Sequence, residues 1–241
     1  MVTEELFRED ATLLECTATV LAVDEAGIVL DRTVFYPLGG GQAGDTGTLT
    51  TADGRVVQLA DTRKHKERPG AIAHVPASGQ PLLQPGDRVT ARIDADRRRA
   101  HMRFHTTTHL LCALVPHPVD GCSITAGYAR LDFHMSEPLD KDALTAGIAR
   151  FVAGAHPVRH RWISEEELDA NPGLVRSMSV QPPRGLGRVR VLEIEGVDLQ
   201  PCGGTHVANT ADIGAVVVTK IEKKSAMTRR VVLGFAEPAA G

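Results

Sequence analysis

Two short stretches of this chain carry side chains of the kind that hold a transition metal. The first is His105-Thr-Thr-Thr-His109 and the second, about a hundred residues later, is Cys202-Gly-Gly-Thr-His206. Each pairs ligand-type residues at i and i+4. Together they offer three imidazoles and one thiolate, a donor set that suits Zn2+. Residues four apart share one face of a helix, so His105 and His109 can grip one ion. His101 stands four residues before His105, and spacing alone permits that pair equally. A zinc protease helix reads His-Glu-x-x-His, with the glutamate as general base. Thr106 holds that place here, which argues against protease chemistry. A closed set of four ligands suits a structural site, whereas catalysis needs an open position or a ligand that yields. Spacing leaves both readings open. It also leaves open whether zinc activates water or places a substrate.

A glycine-rich loop is the second candidate. Phe35-Tyr-Pro-Leu-Gly-Gly-Gly-Gln-Ala-Gly-Asp-Thr-Gly47 has five glycines between Gly39 and Gly47. No Gly-Lys-Ser/Thr follows, so it is not a Walker loop. It reads either as a plain hairpin loop or as backbone that approaches a ligand closely. In the second reading Gln42 presents an amide able both to donate and to accept a hydrogen bond.

The elements that must position these residues divide the chain near residue 92. Residues 1–92 read as short strands joined by turns: Thr17–Val23, Ile28–Tyr36, Thr46–Thr51, Arg55–Asp61, Ala71–Val75 and Arg88–Ile93. Strands at this spacing predict a small β-barrel. Asp94 then caps a long helix over Ala95–Val115, which Pro116 and Pro118 stop. Beyond it come strands near Tyr128–His134, Val158–Ile163, Gly187–Ile194, Ile213–Ile221 and Arg229–Phe235, and helices near Leu139–Ala153 and Ser164–Ala170. Ser164 and Glu167 sit at capping-box positions. The fold class predicted is α+β: a small N-terminal β-barrel over 1–92, then a metal-bearing domain over 93–241 with a largely antiparallel sheet.

Composition bounds the function classes. The chain has 241 residues, 42% hydrophobic and 24% charged, with a net charge of −3. It has no run of about 18 apolar residues and no signal-peptide stretch after Met1-Val-Thr-Glu-Glu, so a cytoplasmic protein is expected. Cys16, Cys112, Cys122 and Cys202 form no disulfide framework; the first three read as small buried hydrophobes. The net charge gives no sign of nucleic acid, but the charge is clustered. Arg97-Arg98-Arg99 with Arg103 is one basic cluster, Arg63-Lys64-His65-Lys66 a second, and Lys220, Lys223, Lys224, Arg229 and Arg230 a third. A local patch suffices to hold phosphates.

Taken in order along the chain, Gln42 in its glycine loop, Arg97–Leu114 with His105-Thr-Thr-Thr-His109-Leu-Leu, Ala129-Arg-Leu-Asp-Phe133 and Pro201-Cys-Gly-Gly-Thr-His-Val207 resemble the editing domain of alanyl-tRNA synthetases. The resemblance covers nearly the whole chain and is closest to the medium-length class of stand-alone AlaX trans-editing proteins. It implies the editing domain shared by threonyl- and alanyl-tRNA synthetases. It also implies a zinc-dependent deacylase, a hydrolase that removes chiefly serine from tRNA(Ala); whether glycine is removed too stays open. It assigns His105, His109, Cys202 and His206 as ligands of Zn2+. Catalytic candidates are then Gln42, Thr106 and Thr125, with Thr107, Thr108 and Ser123 as further hydroxyls near the site. Candidate tRNA contacts are Arg97, Arg98, Arg99, Arg103, Lys223 and Lys224. Two rival readings are an RNA-binding module with a structural zinc and a metallohydrolase for a small ester. The oligomeric state, monomer or homodimer, is open.

Overall fold

The structure is a computed structural model and describes residues 2–178, 185 and 187–236. It divides into two compact units. The first comprises Met1–Gly39 and Ala43–Arg99; the second comprises Gly40–Gln42 and Ala100–Gly241.

The first unit is built on a closed six-stranded antiparallel barrel. In chain order, β1 (Glu4–Glu5) pairs with β4 (Arg32–Thr33) outside the barrel; β2 (Glu15–Asp24) and β3 (Gly27–Leu30) open it. β5 (Gly47–Thr51), β6 (Val56–Lys64), β7 (Ile72–Pro76) and β8 (Arg88–Ile93) complete it in the order β2-β3-β7-β6-β5-β8. Alternation is clearest along β8, whereas β3 is buried throughout. In β8, Val89, Ala91 and Ile93 point inward while Arg88, Thr90 and Arg92 point to water. They join Val20, Ile28, Leu30, Phe35 and Leu49 in an aliphatic core. The strand expected over Ile28–Tyr36 is shorter than its apolar run. Side chains take the amides that a ladder would use: Thr33 Oγ1 accepts from Phe35 N (3.0 Å) and Asp45 Oδ2 from Tyr36 N (2.7 Å).

Asp94 caps α1 (Ala95–Leu114) as expected, its Oδ1 accepting from Arg97 N at 3.0 Å. The boundary between the units falls within this helix, after Arg99. The second unit holds two antiparallel sheets. One has the order β14-β15-β10-β9, from β9 (Val119–Ile124), β10 (Ala129–His134), β14 (Val216–Ser225) and β15 (Thr228–Phe235). The other is β11 (Val158–Ser164), β12 (Arg188–Ile194) and β13 (Asp198–Pro201). α2 (Lys141–Ala153) packs on β14; its cap is Asp140, which accepts from Asp142 N and Ala143 N. Ser164 caps α3 (Glu165–Ala170) through Glu167 N, while the Glu167 carboxylate turns to Arg161 instead of completing the capping box.

β9 and β13 carry no strand signal in the sequence. β9 has Gly121 near its centre and half-buried residues between buried Val119 and Ile124, so it shows no alternation; β13 is four residues long and ends in Pro201. Ile213 closes a short 3-10 turn, Thr210–Ile213, and the strand begins only at Val216, beyond Gly214 at φ +65°. All four cysteines are free; Cys112 is buried, but Cys16 and Cys122 are only half-buried. Among the described residues no helix is long and apolar enough to cross a membrane.

Candidate metal centre

α1 turns His105 and His109 onto one face, and the segment after β13 folds Cys202 and His206 against them. One ligand atom from each of the four lies within 4.8 Å of every other. Cys202 Sγ is 3.5 Å from His105 Nε2 and 3.2 Å from His206 Nε2. With Zn–S of about 2.3 Å and Zn–N of about 2.05 Å, a tetrahedral S···N edge is about 3.6 Å, so the cluster fits a zinc-sized ion. His101 is fully buried one turn earlier and lies outside the cluster, which separates the two pairs that spacing left equal.

Each imidazole is held by an oxygen on its far nitrogen. His105 Nδ1 donates to Gln42 Oε1 (2.8 Å), His109 Nδ1 to Asp198 Oδ2 (2.9 Å) and His206 Nδ1 to Thr106 Oγ1 (3.3 Å). Gln42 and Asp198 accept at these positions, and the Thr106 hydroxyl already donates to Met102 O (2.8 Å). All three rings therefore have Nδ1–H, leaving Nε2 for the centre.

The supporting groups are themselves fastened. Gln42 Oε1 also accepts from Thr205 N (3.1 Å), and its Nε2 donates to Thr205 Oγ1 (2.9 Å). Gln200 Nε2 donates to both oxygens of Asp198, at 3.0 and 2.8 Å, and Arg176 Nη2 lies 3.6 Å from Asp198 Oδ1. Arg190 Nη1 donates to Cys202 O (2.8 Å) and Gly204 O (3.3 Å), which pins the loop between the ligands. A Cβ on Gly204 would sit 2.1 Å from His105 Cε1, so only glycine lets the loop lie against that ring. A Cβ on Gly41, at φ +85°, would sit 2.9 Å from Cys122 Cβ and Sγ, and the Gly41 carbonyl accepts from Ile124 N; this seats Gln42 beside β9. The glycine loop's close approaches are thus to the protein's own backbone and side chains.

The charges of the four side chains are set by one another. Burial would raise the Cys202 thiol, but the imidazoles around it, His105 first, hold it well below the usual range, as a thiolate. Burial, with the charges of His105 and His109, pushes His206 down to about 3, so its ring is neutral. Burial also disfavours charge on His109, yet Asp198 and Cys202 outweigh it and push His109 up to about 10. That proton must leave before His109 Nε2 can serve as a ligand.

The remaining expected site residues are placed differently. Thr107 and Thr108 donate to the helix carbonyls of Arg103 and His105. Thr125 Oγ1 donates to Tyr128 O (3.0 Å) and accepts from Gly127 N and Tyr128 N, so it holds the turn after β9; no bond brings it to the cluster. Arg98 is corrected outright. It is 1% exposed, its Nε lies 3.1 Å from Asp45 Oδ2, and it donates to Ala11 O and Val34 O, so it reaches no surface. Arg97 donates to Gly44 O; Arg103 donates to Ile213 O and lies over the Phe235 ring. Arg99, Lys223 and Lys224 are exposed, whereas Arg229 is buried. Asp198, Gln200, Arg190 and Thr205 were not anticipated. The only sequence signal for Asp198 is an acid four residues before the cysteine, in a stretch that did not read as a strand.

Residues 189–232 match the family described as the threonyl and alanyl tRNA synthetase second additional domain, and residues 7–97 match the class II (A) tRNA synthetases. Over 95% of its length the chain is 35% identical to the alanyl-tRNA editing protein AlaX-M of Methanosarcina barkeri, covering 98% of that protein. The protein of the same name from Saccharolobus solfataricus is 32% identical over 95% of this chain and 98% of its own length. An alanine–tRNA ligase of Methanothrix thermoacetophila is 36% identical over 98% of this chain, which spans 26% of the ligase. With matches end to end at this identity, the chain belongs to the AlaX-M family of alanyl-tRNA editing proteins.

Proposed function

We propose that this protein is a trans-acting aminoacyl-tRNA deacylase. It hydrolyses the ester that joins a wrong amino acid to tRNA(Ala), serine first and glycine as the smaller second substrate. The observation that carries this is the four-ligand cluster with an oxygen behind every imidazole, in a chain that matches editing proteins over nearly their full length. A pocket for alanine cannot firmly exclude serine, which adds only a hydroxyl, or glycine, which is smaller. A second site that hydrogen-bonds the serine hydroxyl leaves polar groups unpaired with alanine, and rejection by roughly 10⁴ or more becomes attainable.

The residues divide the work as follows. His105, His109, Cys202 and His206 fit Zn2+, which when bound would supply a fixed positive charge to polarise the ester carbonyl or anchor the amino acid. Gln42, Asp198 and Thr106 hold the three rings in one tautomer, and Arg190 holds the Cys202–Gly204 backbone. Gln42 has a second amide hydrogen beyond its bond to Thr205, which we assign to a substrate oxygen. Exposed Arg99, Lys223 and Lys224 are the proposed phosphate contacts. We place the protein in the cytoplasm, where charged tRNA is made.

The test is incubation with tRNA(Ala) charged with serine, glycine or alanine, and with serine-charged tRNA(Ser). Release of serine from tRNA(Ala), with alanine spared, is the expected result. A folded, zinc-loaded protein that releases nothing from any of them would leave the reading without support and favour an RNA-binding module with a structural zinc. Cleavage of small amino-acid esters as fast as of charged tRNA would favour a small-ester hydrolase.

A further inference from the structure

The chain's only tryptophan lies on the sheet that carries the ligand Cys202. In the register of β11, β12 and β13, Trp162 faces Arg190 and Val191 faces Pro201, so Cys202 continues the row Trp162–Arg190–Cys202. Cys202 N donates to Arg190 O at 3.1 Å, and Arg190 Nη1 returns to Cys202 O. Directly opposed residues of antiparallel strands share a face, and strands lie about 4.8 Å apart, so Trp162 and Cys202 backbones are roughly 10 Å apart on one side of the sheet. The other side is closed, with Ile163, Val189 and Val191 packed against Leu168, Leu174 and Leu199.

Trp162 is 39% exposed, and the Arg188 guanidinium lies 4.5 Å from its ring centre. Arg188 is itself exposed and makes no ion pair among the described residues. A solvent-facing cation–π pair is worth only about 0.5–1 kcal/mol, a weak reason to leave an indole in water. The same pair is a sequence-tolerant stacking surface for an unpaired base, with a cation for the adjoining phosphate. Its row leads straight to a metal ligand.

We propose that Trp162 and Arg188 form the platform on which a base at the single-stranded 3′ end of the tRNA stacks while its ester lies at the four-ligand cluster. This rests on the deacylase reading. Trp162 is a positioning residue in this scheme, and Arg190 ties the platform strand to the ligand loop.

Because Trp162 is the sole tryptophan, its fluorescence reports the platform alone. Titration with an uncharged tRNA(Ala) acceptor stem should shift or quench it, and the same stem trimmed of its single-stranded 3′ nucleotides should not. Trp162→Leu should raise KM for serine-charged tRNA(Ala) about tenfold or more with kcat within about twofold, and Trp162→Phe should recover most of the loss. Equal fluorescence changes with both stems, or an unchanged KM in Trp162→Leu with its circular dichroism intact, would overturn the platform while leaving the deacylase reading standing. If the wild-type protein deacylates nothing, the functional reading fails instead, and the fluorescence titration still decides base stacking.

Discussion

Three imidazoles can present Nε2 to one point only if three oxygens take their Nδ1 hydrogens, and those oxygens differ in kind. Gln42 offers an amide carbonyl, Thr106 a hydroxyl, and Asp198 a buried carboxylate. The carboxylate raises the basicity of its ring most, so His109 is the ligand most dependent on its partner. Asp198→Asn keeps shape and removes charge. It should weaken zinc binding about 10- to 100-fold, read by competition with a chelating dye, with the far-ultraviolet dichroism unchanged. An unaltered affinity would show that Asp198 merely fills space. Spacing put His105 and His109 on one helix face but allowed His101 with His105 equally; the four-residue set came from the resemblance, and the structure brings those four together. Their supports were not legible. Gln42 is 63 residues from His105, and Asp198 is 89 from His109, so nothing local ties them to the rings they hold. Gln42 stood out only by its glycine loop, and its contacts then proved to be with protein groups.

At the scale of elements, the Arg97-Arg98-Arg99 run shows why charge in sequence is not charge on a surface. Successive helix residues are turned about 100° apart, so three arginines in a row cannot face one way. Arg99 points out, Arg97 is half-buried, and Arg98 is buried against Asp45 within the first unit. Removing one partner of a buried pair strands the other charge, so Arg98→Met should destabilise that unit by about 3–5 kcal/mol in urea unfolding, whereas Arg99→Ala should cost almost nothing. Barrel strands such as β6 and β8 were readable because they show one face to water; β9 and β13 were not, since neither alternates long enough. The barrel also buries a histidine. His74 Nδ1 donates to Ile28 O (2.9 Å) and its Nε2 accepts from Thr33 Oγ1 (2.8 Å), and burial pushes its pKa down to about 4. The unfolded chain takes up that proton near pH 6.5, while the folded barrel resists it until about 4. Its contribution to stability is therefore complete above pH 6.5 and is lost as pH falls toward 4, by roughly 3 kcal/mol at most. His74→Gln should show a shallower loss of stability across that window; parallel curves for variant and wild type would assign the acid response elsewhere.

For the whole molecule, the decisive fact is that the four candidate ligands fall in one unit. All four, together with Gln42, Thr106 and Asp198, belong to the second unit. The barrel's core draws on its own segments alone, from Ala18 to Ile93. Composition hides this division, since 27 basic and 30 acidic residues nearly cancel over the chain and the apolar content is ordinary. It becomes visible only when the motifs are placed on strands and helices. A metal that binds the folded state and not the unfolded one stabilises only what it binds, by about 4 kcal/mol at a thousand times its dissociation constant. At roughly 2–4 °C per kcal/mol for a unit of this size, stripping zinc should lower one thermal transition by about 10 °C. Calorimetry with and without chelator, with hydrogen exchange to assign each transition, should show protection lost over Ala100–Leu114 and Arg188–Val207. Protection of the barrel strands from Glu15 to Ile93 should hold. If both transitions fall together, the units melt as one and the cluster supports the entire chain; if neither falls, the four residues hold no metal that matters to folding. The asymmetric outcome alone fits a barrel that folds by alternation and a second unit completed by an ion.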